Sequence, residues 1–105
     1  MERSVRLASR AKEDLAEIIR HIARDDPAAA ERMGRALLFR LESLSRQPRL
    51  GIAVRNRRKT RALLHRKYYL VYYDDESADQ ITVLRFWHSA RDLGLLRIRE
   101  TGDPP

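Results

Sequence analysis

The sequence predicts an α+β fold: an N-terminal strand and an antiparallel helical hairpin packed on one face of a small antiparallel sheet. Three observations predict it. Apolar residues recur at helical spacing through the first half, the period changes from 3.6 to 2 in the second half, and a strongly basic stretch separates the two. With 105 residues, 43% of them hydrophobic, the chain suits one domain with a modest core. Residues 1–98 are assigned to that domain, and residues 99–105 are expected to form a flexible tail.

Residues 4–8 (SVRLA) alternate, with Val5 and Leu7 on one side, and read as a short opening strand. Ser9 is placed to cap a helix whose apolar stripe is Leu15, Ile18, Ile19 and Ile22. Glu13 and Asp14 are expected in its first turn, where the helix dipole favours acids, and it should end near Arg24. Asp26-Pro27 is a second helix start, because Asp can cap the free N–H groups and Pro at the first helical position gives up a donor that has no partner. Met33, Leu37, Leu41 and Leu44 continue that helix until it stops before Pro48. So short a link makes the two helices antiparallel neighbours. Residues 61–65 (RALLH), 68–73 (YYLVYY) and 81–87 (ITVLRFW) are β-rich runs separated by short polar segments, which predicts an antiparallel meander. The helices should cover one sheet face and the other should meet solvent. Residues 91–99 are expected to add a helical turn or two.

Charge narrows the function. The net charge is +7, yet residues 43–73 contain no acid and nine bases: Arg46, Arg49, Arg55, Arg57, Arg58, Lys59, Arg61, Arg66 and Lys67. The rest of the chain therefore sums to 7 − 9 = −2. A positive field confined to one stretch implies a polyanionic partner, and the alternative is a solvated basic loop that serves solubility. There is no cysteine, and the three histidines (His21, His65, His88) are scattered, so neither a metal site nor a cofactor is expected. No stretch has the length and apolarity of a signal peptide or a membrane span, so a cytoplasmic protein without membrane contact is expected.

Strict alternation in the last strand places Val83, Arg85 and Trp87 on one side and Leu84, Phe86 and His88 on the other. An adjacent Arg and Trp can bind a phosphate and stack a base, or can form a cation–π pair that caps the ring. Tyr68 and Tyr72 fall on one face and Tyr69 and Tyr73 on the other, with core filling the simpler role. A metal-free ribonuclease would need a base, phosphate clamps and an acid. The chain offers His88 or Lys67, then Arg61, Arg85 and Arg91, then Tyr68, parts that any small basic protein would also carry. Arg91 and Asp92 can equally just hold the end of the last strand.

Five segments carry a resemblance to a known family: the opening strand with SRAKEDLAEIIRHIA, then ARDDPAAAERM, LSRQPRLG, RALLHRKYYLVYY and the closing RFWHSARDL. Their order and spacing over residues 5–96 resemble the ParE/RelE superfamily of bacterial type II toxins, on its ParE side. The resemblance implies a toxin in a hetero-oligomer with an antitoxin whose acidic, amphipathic C-terminal segment folds along it. It also implies one of two targets: DNA gyrase for ParE-like members, or messenger RNA in the ribosomal A site for RelE-like endoribonucleases. The RelE-like ribonucleases commonly have a tyrosine near the C-terminus, and here none follows Tyr73. Gyrase inhibition without intrinsic catalysis is therefore the expected function, with ribosome-dependent cleavage by Arg61, Lys67, Arg85 and His88 as the alternative, and a non-toxic nucleic-acid-binding module or decayed toxin as a third. The expected target- or antitoxin-binding residues are Arg55, Arg57, Arg58, Lys59, Arg61, Tyr68, Arg85, Trp87 and Arg91.

Overall fold

The structure, a computed structural model, is described for residues 2–93. Its elements run β1 (Ser4–Leu7), α1 (Ser9–Asp25), α2 (Pro27–Arg46), β2 (Ile52–Ala53), β3 (Thr60–His65), β4 (Tyr68–Asp75) and β5 (Gln80–His88). The α+β class is as expected, and the meander β3–β4–β5 pairs antiparallel throughout. Two features of the sheet were not legible. The two-residue β2 adds an edge inside the basic stretch, and β1 pairs with β5 in parallel, which makes a mixed sheet of order β1-β5-β4-β3-β2. Residues 94–99 of the expected final helix, and the tail, lie outside the described residues.

The helix junction forms as the sequence reads: only Asp26 separates the helices, its carboxylate accepts the Ala29 N–H at 3.1 Å, and Pro27 opens α2. The start of α1 differs. Ser9 is its first residue rather than its cap, and the capping residue is Ala8, whose N–H donates to Val83 O at 2.9 Å. Glu13 and Asp14 consequently lie beyond the first turn.

The apolar stripes of both helices meet one sheet face in the main core. Ile18, Leu37 and Leu44 pack there on Leu63, Leu70, Tyr72, Ile81, Val83 and Phe86, and Val5, Leu7, Leu15, Ile22, Met33 and Leu41 fill its margins. The opposite face is not simply solvated. Val54 folds over it and forms a second cluster with Ala62, Val71 and Trp87, so that Trp87 is only 2% exposed.

A register shift in β5 splits residues that alternation would keep together. Val71 pairs with Arg85 but Tyr72 pairs with Val83, which leaves Leu84 as the extra residue of a bulge. Val83 and Phe86 therefore both join the helix-covered core, whereas Trp87 joins the opposite cluster, correcting the expectation that Val83 and Trp87 share a side.

Asp14 explains how α1 is held to this edge. β1 pairs only with residues 80–83, so among the described residues the outer edge of β5 beyond Val83 has no strand partner. The buried Asp14 carboxylate takes that place: it accepts the Phe86 N–H at 3.1 Å and both Arg85 Nε (2.7 Å) and Nη2 (3.1 Å). A two-point Arg–carboxylate contact is geometrically demanding and fixes the helix along the strand. Replacing Asp14 with Ala would remove the two-point acceptor of the buried Arg85 guanidinium and the acceptor of the Phe86 N–H, so Asp14→Ala is expected to destabilise the fold by about 3 kcal/mol. Urea denaturation measures this, and a loss below about 1 kcal/mol would contradict the assignment.

Candidate functional site

The nine-base tract does not form one patch. Arg55, Arg57, Arg58 and Lys59 lie in the β2–β3 loop, and Arg66 and Lys67 in the β3–β4 turn. The six residues of β3 hold these groups roughly 17 Å apart at ordinary strand rise. The first pole is next to the acidic β4–β5 loop, since Asp74 N–H donates to Lys59 O at 2.9 Å. There Asp75 is held below the usual carboxylate range, mainly by the Ser77 hydroxyl and then by the Ala78 N–H. Within this pole Arg55, Arg58 and Lys59 are exposed and Arg57 is half-buried, and Asn56 and Lys59 adopt positive φ (63° and 54°) to close the loop.

Arg61 has an internal task. Its Nη1 donates to Gly51 O at 2.8 Å, while the fully buried Tyr72 hydroxyl donates to Pro48 O at 2.5 Å and accepts the Gly51 N–H at 3.0 Å. Burial pushes the Tyr72 phenol above its ordinary value. A side chain at residue 51 would come within 2.8 Å of the Ala62 backbone, so only glycine lets the loop lie this close. Core filling, the simpler reading of Tyr72, thus also anchors the loop after α2.

Arg85, Trp87 and Arg91 form a stack rather than an open platform. The Arg85 and Arg91 guanidinium carbons lie 5.1 Å and 3.8 Å from the Trp87 ring centroid, and Trp87 Nε1–H donates to Arg91 O at 3.2 Å. Arg85 is itself buried against Asp14, so neither it nor Trp87 is presented for phosphate binding or base stacking; Arg91 is exposed. This is the cation–π alternative weighed above.

The second pole opens a cleft of about 650 Å³ between the helix junction and the β3–β4 turn. Lys67, Tyr68 and His88 meet there with Arg66, Arg32 and His21, over Ile22, Met33 and Ala36. Two histidines far apart in sequence thus share one site, although no group of metal-binding residues occurs among the described residues. Ser89 N–H donates to Lys67 O at 2.7 Å and ties the turn to the end of β5. The His88 ring meets Tyr68 edge-on at 5.2 Å, and its Nδ1 accepts the Ala90 N–H at 3.0 Å. That bond occupies the Nδ1 lone pair, so the neutral ring carries its proton on Nε2 and offers a donor there. Sequence reasoning missed Arg32, Arg66 and His21, whose approach depends on how the helix hairpin lies over the turn.

Beside the cleft, His65 is held below its ordinary value of 6.5, first by burial and then by the charges of Arg40 and Arg66. A depressed histidine pKa means that the unfolded chain takes up the proton first. Its contribution is complete above pH 6.5 and is lost as pH falls from there towards the folded-state value. His65→Gln is expected to flatten the stability profile in that window, as read from thermal midpoints across pH; an unchanged profile would remove His65 as the titrating group.

Comparison with known proteins places this geometry. A profile of the family described as the ParE toxin of the type II toxin–antitoxin system, parDE, matches residues 5–93. The structure is similar to one from a chromosomal ParDE toxin–antitoxin system of P. aeruginosa, with TM-score 0.69 and 19% identity over 83% of this chain and 96% of that one. It is also similar to one from the RelBE2 toxin–antitoxin complex of Mycobacterium tuberculosis, with TM-score 0.63 and 26% identity over 87% of this chain and 95% of that one. A search of curated proteins finds no match.

Proposed function

The chain belongs to the ParE toxin family of type II toxin–antitoxin systems, and on that premise we propose that it is a binding toxin that inhibits DNA gyrase in the cytoplasm and is neutralised by a cognate antitoxin. The observation that carries the gyrase reading over ribonuclease action is the dispersal of the expected catalytic set. Arg61 is bonded to Gly51 O and Arg85 to Asp14, and only Lys67 and His88 share the cleft. The engaged Nδ1 of His88 further makes its neutral ring a donor at Nε2 and not a base.

An antitoxin with an acidic, amphipathic C-terminal segment fits the first pole. Arg55, Arg58 and Lys59 supply exposed charge. Ile52 (63% exposed) and, further along β3 towards the β3–β4 turn, Leu64 (46% exposed) share the sheet face of Ala62 by register, so a segment running along β3 from the first pole meets apolar contacts. A disordered acidic segment that orders on this surface would gain both terms at once. The structural neighbours come from ParDE and RelBE2 toxin–antitoxin systems, which supports an antitoxin partner.

Purified toxin is expected to inhibit gyrase supercoiling, and induced expression to cause a DNA-damage response with filamentation. Abrupt translation arrest with cleaved messages would transfer the assignment to the ribosome. Replacing Arg55, Arg58 and Lys59 together with Glu should weaken the antitoxin complex at least about tenfold, while surface changes of this kind leave folding within about 0.5 kcal/mol per site. Titration calorimetry and thermal melts check the two halves of that statement, and an unchanged affinity would make the loop a solvated segment only.

A further inference from the structure

We propose that the cleft between the helix junction and the β3–β4 turn binds the phosphodiester backbone of DNA, so that the toxin grips the DNA-loaded form of its target. This rests on the gyrase reading above and adds a nucleic-acid contact to it. The cleft gathers hydrogen-bond donors from four elements: His21 of α1, Arg32 of α2, Arg66 and Lys67 of the turn, and His88 of β5. Arg66 and Lys67 are exposed and make no ion pair among the described residues. The turn that carries them is nevertheless fixed, since Lys67 O is held by Ser89 N–H and Arg66 adopts φ 55°. His88 adds an oriented donor, because its Nδ1 is already engaged by Ala90.

A phosphodiester oxygen only accepts hydrogen bonds, and this lining chiefly donates. The acids of the cleft are Asp25 and Asp26. Asp26 caps α2 with one oxygen and faces Arg32 at 4.0 Å with the other, and the lining's cations and neutral donors outnumber these two acids. Ile22, Met33 and Ala36 provide an apolar floor on which a deoxyribose can rest, and the volume of about 650 Å³ is within the usual range for ligand sites. An acidic peptide is the weaker match here. The exposed Ile52 and Leu64 that an amphipathic segment would cover are on the opposite sheet face, whereas the cleft is lined by Arg32, Arg66 and Lys67.

The test uses full-length toxin and a short labelled duplex DNA, with affinity measured by anisotropy over a range of salt concentrations. Arg32→Glu with Lys67→Glu is expected to lower affinity about tenfold and to reduce the slope of log affinity against log salt by about two, as for the loss of two phosphate contacts. Arg6→Glu with Arg46→Glu, an equal charge change at exposed positions outside the cleft, should have a much smaller effect. Equal losses in both double variants, no loss in the cleft variant, or competition at the cleft by poly-glutamate but not by DNA would each overturn the proposal. Supercoiling assays separate this from the parent reading. Inhibition that survives unchanged in the cleft variant overturns the cleft proposal and leaves gyrase as target. DNA binding through the cleft without any inhibition by the unaltered toxin overturns the gyrase reading and leaves the cleft.

Discussion

The buried contact of Asp14 with Arg85 and the Phe86 N–H closes the gap that this topology opens. A parallel strand of four residues cannot cover a neighbour of nine, and the chain must leave the sheet at Ala8 to begin α1. From there on β5 would face the core margin with an unpaired donor. A carboxylate from the second turn of α1 is at the right height to accept that N–H, and the guanidinium of the preceding residue, Arg85, balances its charge. The bulge at Leu84 sets Arg85 opposite Val71, on the Trp87 side of the sheet, and its guanidinium reaches Asp14 from there. The same register shift turns Trp87 to the far face, where it joins the second cluster.

A comparable economy governs the segment after α2. Tyr72 belongs to the core, yet its hydroxyl reaches through to Pro48 and Gly51, so the sheet interior dictates the path of the loop above it. Arg61 completes that anchor. Once the loop is pinned there, β2 can form on the edge of β3, and the bases that follow it are carried to the acidic-loop end of the sheet. Those that come after β3 are carried to the other end. One stretch of sequence thus makes two cationic surfaces that can serve two partners.

This arrangement separates general from specific features of the fold. The profile match identifies the ParE toxin family and the structural neighbours share its fold, and much of what the motifs encode is architectural: RFWHSARDL builds the Trp87 stack and the tight turn that holds Lys67. The surfaces left over are a cationic loop, the exposed Ile52 and Leu64 on the far sheet face, and a donor-lined cleft below the helix junction.

The sequence by itself determined the elements and their order. Helical spacing from Leu15 to Leu44 and alternation from Ala62 to Trp87 report burial on one side of a local element, and Asp26-Pro27 is a local cap whose chemistry is complete within four residues. It also determined the family, through motifs that are spaced by those same elements. Tertiary structure alone decided that β1 runs parallel to β5, that Asp14 is a buried partner of Arg85 rather than a dipole-complementing acid, that Arg85 and Trp87 are internal, and that the half-buried Arg61 is bonded to Gly51 O. It likewise brought His21 and Arg32 to Lys67 and His88. The reason is physical: periodicity records whether a residue is buried, whereas its partner across the chain depends on strand register and helix placement, which a bulge of one residue is enough to shift.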